Sequence, residues 1–552
     1  MKRSIFGLPL IVTLACVAGA AAPPGSAASV TPSGADRAPA APGAAGAPEV
    51  PDVPGTQQKP RLVVLITIDQ FRADYLTRYG SQLQGGLARL AQGGMHFTDA
   101  HHDHAITETA PGHATLLSGR FPRSTGIMMN SIGVDDESAP LVAGGYGPGA
   151  SPARFQGTTL VDWMTAAERR TRTLSVSMKD RGAILPVGRA KSEVYWYSID
   201  GRFLTSSYYR KDLPKWVTAF NERQMVAGFA GKSWSLLLPD SAYVERDSVP
   251  IEMGGRGFLF PHRLTDDVID AGANIRITPF MDDMVLAFAL HGVTSLQLGA
   301  GNHTDLLALS LSATDVIGHN FGPDSREMHD QVLRVDRAIG TFLDSLYRLR
   351  DSSSITVVLT SDHGVGTIPE LAPASVVPPP RRVSLAPVVP ALRARLRELK
   401  VDSFAVETDL NIVLANRRAF RKSADLDNVI TFLLDRIRQV PGVARVDRFQ
   451  ALMADTVTDV IARRWAHQFP AASNVEAVIT LDPLSTWGGN IASHGSPYAY
   501  DSHVPLIIAG AGVTPGVQRQ FVRTVDVAPT LARLLGVTPG ERLDGRPLPI
   551  GR

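Results

Sequence analysis

Four apolar runs in this chain end in carboxylates or imidazoles, or lead into them. LVVLITI (62–68) runs into Asp69. LLALSLSATD (306–315) ends on Asp315, with His319 one helical turn later. ITVVLTS (355–361) runs into the pair Asp362–His363, and HGSPYAYDSHVPLIIAG (494–510) places His494 just before a fourth apolar run. Buried strands that each stop at an Asp or His are what an open α/β sheet presents when it holds metal at its carboxyl edge. Asp69, Asp315, Asp362, His319, His363 and His494 are enough ligands for two zinc-type ions. Such a site points to phosphoryl or related transfer. Taken singly, each of these residues is more often a structural polar group than a ligand.

A second motif, Thr109-Ala110-Pro111-Gly112-His113, is followed by ATLLSGRFPRSTGIMMN (114–130). Small residues and Gly ahead of a helical run predict a turn feeding a helix N-terminus, where backbone N–H groups and the helix dipole favour an anionic oxygen. A hydroxyl at that place becomes a nucleophile if a metal lowers its pKa. The plainer reading is that Thr109 only caps the helix.

The elements that must position these residues alternate. A helical pattern in SQLQGGLARLAQGG (81–94) follows the first strand. TLVDWMTAAERR (159–170) predicts an amphipathic helix, TLSVSM (173–178) a strand and PFMDDMVLAFALHGV (279–293) a helix. LLALSLS (306–312) and ITVVLTS predict strands on either side of a long helix, EMHDQVLRVDRAIGTFLDSLYRLR (327–350). VPLIIAG (504–510) and VDVAPTLARLLG (525–536) predict a last strand and a closing helix. Strands separated by helices imply an α/β fold with a mainly parallel central sheet and helices on both faces. Residues 185–260 look like an irregular insertion rich in Tyr, Trp and Ser. The stretch 370–490 opens with VVPPPRR and then mixes VETDLNIVLAN (strand-like), LDNVITFLLDRIRQV (helix), GVARVDRF (strand) and TVTDVIARRWAHQF, which predicts a smaller α+β insertion. The core would then comprise 61–369 and be completed by 491–552.

The chain has 552 residues, 44% of them apolar and 20% charged, the composition of a globular enzyme with a full core. Its net charge of +2 gives no reason to expect nucleic-acid binding. Lys2 and Arg3 precede the apolar run from Ile5 to Ala22, so 1–22 reads as a secretory signal peptide. Export to the periplasm is expected. The one cysteine, Cys16, lies in that segment, where it reads either as a small signal residue or as a lipid-attachment site that would anchor the protein to the membrane. Residues 23–60, rich in Ala, Pro and Gly, predict a disordered tether.

Asp69, the Thr109 motif, Asp315-Val-Ile-Gly-His319, Asp362-His363-Gly364 and His494-Gly495 follow one another in the order found in the alkaline phosphatase superfamily. The chain resembles that superfamily from about residue 61 to 540. Thr109 and Gly126-Ile127-Met128-Met129-Asn130 look like the branch that holds nucleotide pyrophosphatases/phosphodiesterases and the phosphate-irrepressible alkaline phosphatases. In that branch the nucleophile is Thr, and an Asn in this segment holds a phosphoryl oxygen. Lys179-Asp180-Arg181 matches the Lys-x-Arg of the monoesterases. A monoester dianion presents one more charged oxygen than a diester, and a Lys and an Arg can bind it. The resemblance implies one ion on Asp315, His319 and His494 and a second on Asp69, Asp362 and His363, with Thr109 coordinating the second. The ions would be two Zn²⁺, with Mn²⁺ or Co²⁺ as substitutes.

The expected function is therefore hydrolysis of small phosphate monoesters through a phosphothreonine intermediate on Thr109, by a monomer. The nearest alternative is a phosphodiesterase or nucleotide pyrophosphatase on the same scaffold. A sulfatase would need Cys or Ser where Thr109 stands, and a mutase would ordinarily use Ser. A noncatalytic exported binding protein would have lost a ligand or the nucleophile. The tract His101-His102-Asp103-His104 is set aside as a metal site, since six ligands are already supplied, and His494 is preferred to His503 as the last ligand. His113 reads as packing or support. Tyr195, Trp196, Tyr197, Tyr208 and Tyr209 are candidates for lining a cleft or for core.

Overall fold

The computed structural model describes residues 59–453 and 458–551. The expected signal peptide, the lipid-attachment cysteine and the expected tether up to residue 58 lie outside the described residues. Among these residues the central sheet has ten strands. They are β1 (Leu62–Ile68), β2 (Gly94–His101), β3 (Thr173–Ser177), β4 (Glu193–Tyr197), β5 (Phe203–Leu204), β6 (Asp305–Leu311), β7 (Ile355–Thr360), then β12 (His503–Gly510), β13 (Gly516–Gln518) and β14 (Val522–Arg523). The order across the sheet is β13-β2-β12-β7-β1-β6-β3-β4-β5, with β14 also beside β2.

Strands β7, β1, β6, β3 and β4 are neighbours and all parallel. Every residue of β1 is buried because both faces of the sheet are covered, which is why the run is continuously apolar rather than alternating. Leu62, Val64, Ile66 and Ile68 pack into one core, and Val63 and Leu65 into the other. The first core is covered by α4 (Phe280–Ser295) and α6 (Arg326–Leu349), whose Val332, Val335, Ile339 and Phe342 face the sheet at helical spacing. Ser325 Oγ caps α6 by accepting from Met328 N–H at 3.0 Å. The second core is covered by α1 (Thr109–Leu116), α2 (Leu160–Ala167) and α9 (Val527–Leu535).

A separate four-stranded antiparallel sheet, in the order β8-β9-β11-β10, comprises β8 (Val406–Asp409), β9 (Ile412–Ala415), β10 (Val443–Arg448) and β11 (Val475–Leu481). Helix α7 (Ser423–Ile437) packs on it through Val429, Ile430, Leu433 and Leu434. Helix α8 (Val460–Gln468) and the β10–α8 connection make a further small core with Phe449, Trp465 and Phe469.

Several expectations change. VETDLNIVLAN is two strands turning at Leu410, which has φ +46°. Strand β11 was not anticipated. Neither was β2, whose GMHFTDAH mixes polar and apolar residues without clean alternation. Strand β12 sits where expected but runs antiparallel to both of its neighbours, β7 and β2. Within 185–260, Glu193–Tyr197 is a strand of the main sheet, so the irregular part begins only after it. Tyr195, Trp196 and Tyr197 are buried core, not cleft lining.

Candidate active site

Six segments reach one edge of the sheet. β1 ends at Asp69, β7 at Asp362–His363, β6 leads into α5 (Ala313–Phe321) carrying Asp315 and His319, and β3 leads into Lys179 and the short helix α3 (Asp180–Ile184) with Arg181. Parallel neighbours must end together, so their C-terminal residues converge. β2 runs parallel to β7 across the antiparallel β12, and its C-terminal end feeds the Thr109 loop to the same edge. His494 arrives on the segment before β12.

The geometry brings the six metal-ligand candidates together. Asp69, Asp362 and His363 form one compact group, and Asp315, His363 and His494 another. His319 joins the second, with Nε2 3.3 Å from Asp315 Oδ1 and 3.2 Å from His494 Nε2. Each imidazole has its Nδ1 held by a backbone carbonyl: His319 by Ala492 at 2.8 Å, His494 by Thr107 at 2.8 Å and His363 by Gly364 at 2.9 Å. Those bonds fix Nδ1 as the donor and turn each Nε2 lone pair into the site. Two such lone pairs facing each other at 3.2 Å, beside buried carboxylates, suit a shared cation. Asp69 is fully buried; its Oδ1 accepts no hydrogen bond, its Oδ2 meets the Lys179 ammonium at 2.7 Å, and Asp362 Oδ2 lies 3.1 Å from His113 Nδ1. The donor set thus fits divalent metal, as the alkaline phosphatase superfamily implies.

Charge is distributed unevenly. Burial, then Asp362, pushes Asp69 well above the ordinary carboxylate range. Burial also raises Asp315, but Lys179 and His319 outweigh it and hold that carboxyl well below its usual value. Burial, followed by His363 and His319, drives His494 well below the ordinary imidazole range, and burial lowers His363 as well. Both therefore favour the neutral, ligating form.

Thr109 is the first residue of α1, and the cap position is Glu108, in extended conformation. The cap reading of the Thr109 hydroxyl is therefore corrected: its Oγ1 lies 3.5 Å from His363 Nε2 and 3.3 Å from Lys179 Nζ. Gly112 is obligatory here, since a Cβ on it would sit 2.1 Å from the Asp362 carbonyl oxygen. Lys179 Nζ reaches Asp69 Oδ2 at 2.7 Å and Asp315 Oδ2 at 2.6 Å, so one ammonium touches both groups of carboxylates and Thr109. Burial works against its charge, but Asp315 and Asp69 outweigh burial and raise its pKa.

Asn130 Oδ1 accepts from Ala110 N–H at 2.9 Å, which leaves Nδ2 as a free donor beside Thr109. The same bond occupies the amide after Thr109, so that N–H is not available to a substrate oxygen. Arg181 Nη1 is 3.7 Å from Asp180 Oδ1 and its buried Nε has no hydrogen-bond partner. His113 bonds Thr109 O and Ser310 Oγ, each at 3.0 Å, supporting the helix that carries Thr109. His503 stacks on His101 instead, and His102 bonds Ser361 O and Thr524.

Two supporting residues had no sequence signal beyond a polar type beside a ligand. Gln70 is fully buried with φ +65°, a conformation costly for a side-chain-bearing residue. Its N–H donates to Asp362 Oδ1 at 3.1 Å and its Nε2 to Asp315 Oδ1 at 2.9 Å, so one residue braces both groups. Gly318 makes room for it, since a Cβ there would lie 1.8 Å from Gln70 Oε1. Glu108 Oε2 accepts from Asn130 N–H at 2.6 Å, the return half of a clamp between the two segments.

The sequence model of type I phosphodiesterase / nucleotide pyrophosphatase matches residues 63–379, and that of sulfatase matches 326–537. Alkaline phosphatase PafA of Elizabethkingia meningoseptica is 29% identical over 89% of this chain and 94% of its own length. Alkaline phosphatase PhoK of a Sphingomonas species is 31% identical over 88% of this chain and 90% of its own. The crystal structure of wild-type PafA superposes with a TM-score of 0.81 at 27% identity, covering 90% of this chain and 99% of that one. The ten-stranded sheet is thus the alkaline phosphatase-like fold, and the chain belongs to the type I phosphodiesterase / nucleotide pyrophosphatase family, alongside the alkaline phosphatases of the PafA type.

Proposed function

We propose that this phosphoric monoester hydrolase acts on small phosphate monoesters through a phosphothreonine on Thr109. Asp315, His319 and His494 would hold one zinc ion, and Asp69, Asp362, His363 and Thr109 a second; bound there, the pair would supply Lewis-acid stabilisation of charge on the attacking and leaving oxygens. Thr109 Oγ1 bonds to phosphorus as the ester P–O bond breaks, and the departing alkoxide takes up a proton. Water then bonds to phosphorus as the P–Oγ1 bond breaks, releasing inorganic phosphate and restoring the threonine hydroxyl. Asn130 Nδ2, Lys179 and Arg181 hold the nonbridging oxygens while this happens. Two displacements give net retention at phosphorus. The protein contributes mostly position and electrostatics, as a loose phosphoryl transition state requires.

The observation that carries the monoester reading is the Lys179 ammonium, 3.3 Å from Thr109 Oγ1. A monoester dianion brings a charged oxygen to that cation, whereas a diester brings an organic group that cannot pair with it. The match to the phosphodiesterase family model favours a second reading, a diesterase or nucleotide pyrophosphatase on the same site. Rates on an aryl phosphate and on its bis-aryl diester, for the wild type and the Lys179→Ala/Arg181→Ala double variant, separate the two. The monoesterase predicts a wild-type preference for the monoester that collapses in the variant; a strong wild-type diester preference would overturn it.

A further inference from the structure

Gln468, the last residue of α8, is fully buried and is contributed by the α+β insertion, yet its amide does not serve the insertion's own core. Oε1 accepts from Ile106 N–H at 2.8 Å, and Nε2 donates to the Met128 carbonyl. Ile106 precedes Thr109 by three residues, and Met128 precedes Asn130 by two. A primary amide offers a donor and an acceptor in one fixed plane, so it sets the separation of the two backbone groups it joins. Asn130 Oδ1 then closes the ring by accepting from Ala110 N–H. The neighbouring contacts of α8 are of another kind: Arg463 Nη2 and Arg464 Nε reach Asp103 Oδ1 at 3.1 and 3.6 Å, and His467 Nδ1 donates to Asp103 O at 2.6 Å. They dock the helix against the chain six residues before Thr109 without touching the Asn130 segment.

We propose that Gln468 is a positioning residue for phosphoryl transfer, and that the insertion uses it to set the gap between the Thr109 hydroxyl and the Asn130 amide. This rests on Thr109 and Asn130 having the roles given above. The plainer role, satisfying two backbone groups, would stabilise the fold but would not be coupled to Asn130. Transfer is sensitive to sub-ångström placement of nucleophile and oxygen donor, so loosening the tie shows in kcat rather than in KM.

The test is a double-mutant cycle on the full-length zinc-loaded enzyme with an aryl phosphate, reading kcat, KM and melting temperature. Gln468→Met keeps the length and removes both bonds; Gln468→Glu keeps the acceptor, loses the donor, and serves if the Met variant does not fold. Each is made alone and with Asn130→Ala, and Arg463→Met is the docking control. Gln468→Met is expected to lower kcat about 10- to 100-fold. In the Asn130→Ala background the same change should cost no more than about twofold, because the group it positions is gone. Arg463→Met should lower the melting temperature and leave kcat nearly unchanged. A Gln468 loss that persists in full without Asn130, or an Arg463→Met loss of equal size, overturns the inference. An Asn130→Ala enzyme with unchanged kcat overturns instead the site reading beneath it, and the inference with it.

Discussion

The ten-stranded sheet and the four-stranded sheet of the insertion use similar residues to opposite ends. Both are buried and rich in Val, Ile and Leu. The strands β7, β1, β6 and β3 are parallel, so every C-terminus falls on one edge, where Asp362, Asp69, Asp315 and Lys179 meet. In the insertion β8, β9, β11 and β10 alternate in direction, their ends are split between two edges, and none carries a ligand to the site. A parallel sheet is a device for concentrating strand ends; an antiparallel one is a rigid plate. The insertion accordingly reaches the Thr109 and Asn130 segments from α8, through the Gln468 bonds to backbone, the Arg463 and Arg464 pairs to Asp103 and apolar packing on Ile106 and Met128.

That contrast can be broken or sharpened by experiment. The largest effect is expected at the convergent edge: Thr109→Ala should lower kcat by about 10⁴-fold or more with metal content unchanged by elemental analysis, and near-normal turnover would remove the nucleophile from the scheme. Asp315→Ala should come next, since it takes away the partner of both Lys179 and His319. Loss of one metal equivalent and about 10³-fold in rate is expected, and retention of both ions would break the ligand assignment. The Lys179→Ala/Arg181→Ala pair should cost about 10²- to 10³-fold on monoesters and far less on diesters, measured as the ratio of the two rates.

On the insertion side, Leu433→Ala empties a fully buried site in α7. It should destabilise the insertion by about 2–5 kcal/mol in denaturant unfolding, with kcat nearly unchanged well below the transition. A kcat that falls in step would show that the plate does more than hold α8. The smallest effect concerns pH. Asp282, buried under α5, accepts from Ala313 N–H and Gln331, and burial raises its pKa from 3.8 to about 7. The folded state keeps a proton that the unfolded state releases, so this group's contribution is present below pH 4 and is lost as pH rises through about 7. Asp282→Asn should flatten the fall in unfolding free energy between pH 4 and 7; an unchanged slope would place the titration elsewhere.

The strands that end in ligands were legible because an apolar run buried on both faces followed by an Asp or His is a local pattern. β2 and β11 were not: β2 mixes polar and apolar residues without alternation, and β11 lies in the insertion beyond the last pattern that could be assigned. The direction of β12 was also hidden: a strand's pattern is the same whichever way it runs.

By itself the sequence determined which residue types stand at the strand ends and in what order, and so the metal-type donor set, the threonine and the Lys179–Arg181 pair. Only the tertiary structure decided that Gln70 braces both ligand groups, that Glu108 and Asn130 clamp one another, that each ligand imidazole donates through Nδ1, and that Gln468 reaches Ile106 across 362 residues. Periodicity reports which side chains are buried along one element. A hydrogen bond between distant segments depends on where two chains happen to pass, and no local period encodes that.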